Sequence, residues 1–537
     1  MDVIIPTPMT ESNANKQIAR ATGTVMIALF LGQVTGLLRG IIVARTFGAS
    51  PELDAFFAAN RVSETLFLLV AGGALGSAFI PTFTGLLARG EKAPAWKLAA
   101  ALANTVTLAL SLLALIVAFF APQVVRYLLA PGLSTDPELY TLTVSLLRIQ
   151  LISTVLFGLG GLFVGILNAH QIFLIPALTP ALYQLGIIFG ALVLAPSMGI
   201  YGLAWGVVIG AALYLLVQIP SVLRLVNWPL ITDRFSLGLH DSNVRQVLIL
   251  MVPRMIGVAI VQLNFWVNTW LASQMASGSV TGLYYGFSLM LMSQAVIAQS
   301  AAIAAMPTFS AQHALGKIDE MRSSLAATLR SVILLALPAS AGLILLREPL
   351  ISLLYQHGEF DEQAVQIVSW ALLWYAAGLV GHSIMEILAR AFYAQNDTKT
   401  PVIIGAIAMG LNIIFSVTFI KLFEYFGWMP HGGLALANSL ATALEAITLF
   451  VVMRKRLNGI EGKFIMHGVI PSVIATLVMS ICILGWLYVG ENLSSWILIP
   501  VGVLIGIGVY LVGLWVLRVP ELQYITSSVL RRLKKTL

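Results

Sequence analysis

Charge is what this sequence has least of. Lys, Arg, Asp and Glu make up 10% of its 537 residues, against 59% hydrophobic residues, whereas soluble domains carry roughly 25% charged residues. The chain therefore lacks the polar side chains needed to coat a water-facing surface. Cysteine is nearly absent as well. Cys482 is the one thiol, which excludes an internal disulfide, and it brings no clustered ligands of the kind a zinc site needs. The seven histidines are scattered without metal-ligand spacing. No Walker motif is present, so an ion gradient, a membrane potential or a substrate gradient must supply any driving force. No set of acid, base, nucleophile and metal assembles, and the chain is not read as an enzyme. The first 21 residues contain Pro6, Pro8, Lys16 and Arg20 and do not fit the short apolar core of a cleaved signal. The first apolar stretch is expected to be retained as a membrane helix.

What is present is a series of long apolar runs. A bilayer core of about 30 Å takes about 20 helical residues, and only helices or closed barrels satisfy their backbone in lipid. Continuous runs of this length occur at 22–44, 55–81, 98–121, 140–168, 174–195, 199–223, 246–272, 280–307, 325–346, 364–394, 400–423, 432–453, 465–490 and 495–517. A barrel is excluded, because its strands alternate over about ten residues. The expected fold is an all-α polytopic membrane protein of about fourteen transmembrane helices.

The basic residues orient it. With the N-terminus inside, inward segments hold Lys16, Arg20, Arg89, Lys92, Lys97, Arg224, Arg234, Arg245, Lys317, Arg322, Lys399, Arg454, Lys455, Arg456 and Lys463. They also hold Arg518 and the tail Arg531-Arg532-Leu533-Lys534-Lys535, whereas outward loops hold only Arg126, Arg347 and Lys421, with Arg45 at a helix end. Lys and Arg concentrate on the cytoplasmic side of membrane proteins, so both termini are expected there. The formal net charge of +7 is thus a topology signal rather than a nucleic-acid footprint. The basic tail is suited to anionic lipid headgroups.

An internal repeat organises the spans. Ile80-Pro81-Thr82-Phe83-Thr84 and Met306-Pro307-Thr308-Phe309-Ser310 stand 226 residues apart, and the helix-opening Pro176 and Pro401 stand 225 apart. Two landmarks at nearly one offset indicate two parallel six-helix lobes related by an axis along the membrane normal, a common transporter plan. The expected segments are a cytoplasmic start (1–21), an N-lobe of helices 1–6 (22–224), an inter-lobe loop (225–245) and a C-lobe of helices 7–12 (246–457). Two added C-terminal helices, 13–14 (458–517), and a basic tail (518–537) complete the chain. Glycines such as Gly72-Gly73, Gly158, Gly160 and Gly161 suit close helix packing.

Ionisable groups inside spans cost about 2.5–3.5 kcal/mol near the bilayer centre and are functional candidates by default. Arg39 and Arg61 fall at one depth in the outer half of helices one and two, and a guanidinium fork suits phosphate. Glu64, three residues after Arg61, offers a structural ion pair as the competing reading. Arg148 and Arg254 lie deeper, the latter after Pro253. Arg330 and Arg390 lie near cytoplasmic helix ends, where they are expected to snorkel, and Glu386 pairs with Arg390 at i,i+4. Glu445, with Asn412, Ser416 and Asn438 as neighbouring oxygens, is a candidate coupling site for Na⁺ or H⁺. A plain hydrogen-bonded helix contact is the competing reading. No other cofactor is expected.

Short motifs then carry a family resemblance. They are Gly36-Leu37-Leu38-Arg39, Ala44-Arg45-Thr46-Phe47-Gly48-Ala49 with Asp54-Ala55-Phe56-Phe57, Gly73-Ala74-Leu75 with Ala78-Phe79-Ile80-Pro81, and Leu167-Asn168 with Ile175-Pro176-Ala177. In the second half they are Ala276-Ser277-Gly278-Ser279-Val280 with Tyr284-Tyr285, Tyr355-Gln356-His357-Gly358-Glu359-Phe360, and Leu388-Ala389-Arg390-Ala391-Phe392-Tyr393 before Asp397-Thr398-Lys399-Thr400-Pro401. Spread over 30–405, this set resembles the MurJ/MviN family of the multidrug/oligosaccharidyl-lipid/polysaccharide exporter superfamily. The resemblance implies a bacterial inner-membrane flippase. It would move lipid II, the undecaprenyl-diphosphate-linked peptidoglycan precursor, from the inner to the outer leaflet. It also implies a cationic cavity for the headgroup and a lateral groove at helices 13–14 for the tail. Arg39 carries over as a headgroup residue, and Asp54 and Glu64 as gating or motif candidates.

The chain departs from the family pattern in its charges. Gln33 stands where an arginine is frequent, Arg39-Gly40 replaces an Arg-Asp doublet, and Phe67-Leu68 replace a basic pair. Tyr284-Tyr285-Gly286-Phe287-Ser288 lacks an acid and a base of the corresponding segment. Arg61 and Arg254 are read as compensating, with Arg148 and Gln33 as further headgroup candidates. Two other functions follow from the same residues. One is export of another polyprenyl-linked glycan or amphiphile. The other is a non-transporting scaffold that gathers cell-wall synthesis proteins.

Overall fold

The computed structural model describes residues 11–70, 76–226, 236–238, 240–491 and 493–520. Among them the regular structure is helical, with no strand. The chain divides into two compact units, the first ending at Phe47 and resuming over Pro51–Trp270, the second made of Gly48–Ser50 and the residues from Leu271 onward.

The first unit runs α1 (Glu11–Phe47), α2 (Pro51–Val70), α3 (Gly76–Ala88), α4 (Lys92–Phe119), the single turn α5 (Ala121–Gln123) and α6 (Pro137–Ala169). It continues with α7 (Leu174–Phe189), the short α8 (Ala195–Met198), α9 (Ile200–Leu216), α10 (Ile219–Leu225) and α11 (Ser242–Ala272). Local chemistry sets the ends. Asp136 caps α6 by accepting the Glu138 and Leu139 amides at 2.8 and 3.4 Å, ahead of Pro137, which has no N–H to lose at this position. In α7, Pro180 cannot donate to the Pro176 carbonyl, and the Thr179 hydroxyl does so instead at 2.7 Å. Small residues let α7 and α9 touch backbone to backbone. A Cβ on Gly186 would lie 2.2 Å from the Gly210 Cα, and one on Gly206 would lie 2.8 Å from the Gly190 Cα.

The second unit contains α12 (Ser279–Gln294), α13 (Ser300–Ala314), α14 (Ile318–Leu345), α15 (Arg347–Tyr355), α16 (Glu362–Ala377) and α17 (Leu379–Ala394). Then follow α18 (Lys399–Tyr425), α19 (His431–Arg456), α20 (Gly462–Val489) and α21 (Ser495–Val516). The turn between α17 and α18 is organised by Asp397, which accepts the Lys399 and Thr400 amides, each at 3.0 Å, and meets Arg456 at 2.7 Å. Burial raises the Asp397 carboxyl, but the Thr400 hydroxyl and amide and the Arg456 guanidinium outweigh it and bring its pKa to about 2.

The repeat is written into the backbone. Left-handed residues recur at Gly90 and Gly316, at Gln171 and Asn396, and at Gly199 and Gly427, offsets of 226, 225 and 228 residues. Pro81 and Pro307 lie inside α3 and α13, and each is followed two residues on by a fully buried phenylalanine, Phe83 and Phe309. Pro176 and Pro401 are each the third residue of their helix. Positive φ costs Gly nothing and is tolerated by Asn, and Gln171 takes it at φ 61°.

The span count differs from fourteen. Among the described residues eleven helices are long and apolar enough to cross a membrane, or twelve if α16 and α17, bent by 48°, form one span. The expected spans 22–44 and 55–81 are not among them. The first lies within α1, which begins earlier, at Glu11. The second is covered by α2 and α3 on either side of 71–75, which lie outside the described residues. Gly72-Gly73, Arg234 and the tail from 521 onward also lie outside them. The seventh span, assigned from sequence to the second lobe (246–457), packs instead with the first unit as α11.

Candidate functional site

A polar stripe at helical spacing on α11 meets α2. Gln262 and Thr269 are buried, and Phe265 and Trp266 lie on the same face. Trp266 Nε1 donates to the Thr65 hydroxyl of α2 at 2.8 Å, and the same hydroxyl reaches Gln262 Oε1 at 3.4 Å. One turn away, the Arg61 guanidinium lies 5.0 Å from the centre of the Phe265 ring and bonds Glu64 at 3.0 Å. Arg61 is the more buried of the pair, with 18% of its side chain exposed against 42% for Glu64, and its Nε is buried without a hydrogen-bond partner. A guanidinium held by a ring face on one side and a half-exposed carboxylate on the other can exchange that carboxylate for a phosphate. Thr65, Gln262, Phe265 and Trp266 were not singled out in the sequence. The spacing of Phe265, Trp266 and Thr269 three, four and seven residues after Gln262 within an apolar run was the available signal.

Arg148 and Arg254 lie on other surfaces of the first unit. Arg148 is exposed and donates from Nε to the Ala118 carbonyl at 3.0 Å, closing the end of α4. Arg254 is exposed and precedes Phe265 by eleven residues, about 16 Å along the helix at ~1.5 Å per residue. Arg39 is half-buried on α1, Gln33 is exposed there, and Asp54 is buried near the start of α2.

In the second unit Glu445 is buried against Gly405 of α18, where an added Cβ would lie 3.1 Å from its Oε1. Asn412 and Ser416 are buried and share a 3.4 Å hydrogen bond. Asn438 Oδ1 accepts from His382 Nε2, 3.1 Å away. Asn412 stands seven residues beyond Gly405, and Asn438 seven before Glu445, about 10 Å in each case. Asn412 and Asn438 therefore lie about two helical turns from Glu445. Among the described residues no group of three or more His, Cys, Asp or Glu stands together to hold a metal.

An apolar groove of about 650 Å³ runs along α14, α20 and α21, lined by Leu335, Pro338, Gly342, Ile483, Val503 and Ile507 among others. Its wall is fixed by one backbone defect. Pro338 has no N–H for the Leu334 carbonyl, and Tyr510 of α21 donates its hydroxyl there at 2.6 Å while bonding Ser472 of α20 at 2.7 Å. Arg330 of α14 secures α20 further. It was expected to snorkel, but it is 2% exposed. Its Nη1 donates to the Phe464 carbonyl at 3.1 Å, and its guanidinium sits 4.5 Å over the Phe464 ring. Gly468 leaves it room, since a Cβ there would stand 2.4 Å from Nε. Sequence gave its depth, but α20 covers the side chain that a bare helix end would have released. Arg390 does pair with Glu386, at 3.1 Å.

Two repeated helical units, a half-buried cation in the first and a lateral apolar groove in the second define a multi-pass membrane transporter built to handle an amphiphile. The comparisons with known proteins specify it further. The profile of the family described as "Lipid II flippase MurJ" matches residues 43–503, and the chain belongs to that family. It is 34% identical over 439 residues to the lipid II flippase MurJ of Burkholderia cenocepacia, covering 81% of this chain and 84% of the relative. To the probable lipid II flippase MurJ of Vibrio cholerae it is 29% identical over 454 residues, covering 82% and 84%. Among solved structures it resembles "Lipid II flippase MurJ, inward closed conformation", with a TM-score of 0.77 and 26% identity over 91% of this chain and 97% of that one. An inward-facing multidrug resistance MATE family transporter of the MOP superfamily shares the fold at TM-score 0.64 and 16% identity, covering 80% and 94%.

Proposed function

We propose that this chain is a lipid II flippase of the bacterial inner membrane, moving its substrate from the inner to the outer leaflet by alternating access, with both termini in the cytoplasm. The family match over 43–503 carries the reading. The groove beside α20 and α21 suits the polyprenyl tail. Lipid is as apolar as the groove, so the groove selects the tail by shape and packing rather than by withdrawing it from water. Arg39 and Arg61 serve the diphosphate, Arg61 by giving up Glu64. Glu445 is the candidate for an H⁺ or Na⁺ coupling role, as a buried carboxylate packed against Gly405.

The basic turns of the second unit, which meet at one end of its helices, support the orientation. Arg322 donates to the Leu457 carbonyl, and Arg456 pairs with Asp397. The test is rescue of cells depleted of their own lipid II flippase, read as lipid II accessible from outside. Expression of this chain is expected to restore it, and Arg39→Ala at equal membrane level to lose it. Rescue that survives Arg39→Ala would move the phosphate site to Arg61. Failure despite correct insertion would favour another polyprenyl-linked glycan, for which the charges absent at Gln33, Phe287 and Ser288 speak, or a scaffold for cell-wall synthesis proteins.

A further inference from the structure

A second cavity, about 740 Å³, opens where α19 ends and α20 begins. Asn458 and Gly459 take positive φ and turn the chain sharply, so that Arg454 on the last turn of α19 and Lys463 and His467 on the first turns of α20 line one space with Met466 and Ile470. Glu461, the one acid in the lining, accepts the Ser323 hydroxyl. Neighbouring cations are engaged too, Arg322 by Asp319 and the Leu457 carbonyl, Arg456 by Asp397. Arg454 and Lys463 are exposed and have no ion pair among the described residues. His467 is held by a 2.7 Å contact of Nδ1 with the Lys463 carbonyl, which directs its other ring nitrogen away from the helix.

Two backbone features add to this charge. No side chain caps the first amides of α20, a helix of 28 residues, so the positive end of its dipole lies at the cavity. Pro471, also in the lining, cannot donate to the His467 carbonyl, which leaves an acceptor for a hydroxyl. On the remaining side Met466 and Ile470 are about half exposed and continue the lipid-facing surface of α20. A soluble anion would have no use for that apolar wall, and a hydrocarbon would have none for the cations.

We infer that this cavity binds the headgroup of an anionic phospholipid, with the phosphate between Arg454 and Lys463, a headgroup hydroxyl near His467, and an acyl chain along Met466 and Ile470. Its assignment to the inner leaflet rests on the orientation proposed above; the site itself does not. A lipid bound here would tether the start of α20, the helix that Arg330 and Tyr510 fasten to α14 and α21.

The test uses the full chain in phosphatidylcholine nanodiscs containing a minor fraction of phosphatidylglycerol with a photoreactive headgroup, the crosslinks being mapped by peptide mass spectrometry. Crosslinks are expected within 459–470, outcompeted by unlabelled phosphatidylglycerol but not by phosphatidylcholine. Arg454→Ala with Lys463→Ala should lower them about tenfold or more, since each cation near an anionic surface contributes about 1 kcal/mol. Lys463→Arg alone should retain them. Equal labelling by a phosphatidylcholine probe, or unchanged labelling in the double variant, would overturn the site. Displacement by inorganic phosphate would replace the lipid with a soluble phosphate ligand. The competition in wild-type protein needs no variant, so a poorly folded double variant still leaves a decisive result. No lipid II is involved, so the outcome is separate from that of the rescue experiment.

Discussion

Arg61 stands between a carboxylate 3.0 Å away and an aromatic face 5.0 Å away, and the two partners have different consequences. The ring accepts the cation without neutralising it, while Glu64 neutralises it and competes with any incoming phosphate. Glu64→Gln is therefore expected to tighten binding of a diphosphate lipid several-fold and leave the fold intact, because the lost pair is half exposed and contributes little to stability. Arg61→Ala should weaken binding about tenfold, the scale of one charge-assisted hydrogen bond. Titrating detergent-solubilised protein with a diphosphate lipid by native mass spectrometry measures both. Equal affinities in all three proteins would remove Arg61 from the site. At this scale the sequence was only partly legible. It supplied the Arg61–Glu64 and Arg390–Glu386 pairs, whose partners are helical neighbours. It missed the partners of Arg148 and Arg330, because a long side chain reaches an element 30 or more residues away and helical depth does not give azimuth.

Among the elements, α7 and α9 are joined by the absence of side chains. Gly186 and Gly190 face Gly202, Gly206 and Gly210, with gaps that leave no space for a methyl group. In a bilayer no hydrophobic force draws helices together, and such close backbone approach supplies packing instead. Gly206→Val should force the pair apart and destabilise the first unit by at least the 1–3 kcal/mol typical of overpacking. The thermal unfolding midpoint in detergent should fall by several degrees, while the same change at Gly257, where a Cβ meets nothing within 4 Å, should leave it nearly unmoved. Similar midpoints for the two variants would mean that the contact contributes little. The helices themselves were legible because a continuous apolar run admits few alternatives in lipid. The 48° bend between Ala377 and Leu379 was not, since hydropathy averages over a window and carries no direction.

For the whole molecule, the repeat explains what two proline landmarks could only suggest. Left-handed turns at Gly90, Gln171 and Gly199 return at Gly316, Asn396 and Gly427, and the groove lies along α14, α20 and α21. The groove was anticipated from family resemblance rather than from residues, because its walls come from three distant stretches. Its role is open to a direct test at Gly342, which lines the groove and has nothing within 4 Å of an added Cβ. Gly342→Phe should fill part of the space without displacing a neighbour, so insertion and thermal stability should match the wild type. If the groove holds the polyprenyl tail, transport of a long-chain diphosphate lipid in proteoliposomes should fall about tenfold, roughly 1.4 kcal/mol in the transport barrier. A short-chain analogue that ends before the obstruction should be moved at nearly the wild-type rate. Equal loss for both chain lengths would point to a defect in the conformational cycle, and no loss for either would place the tail elsewhere on the molecule.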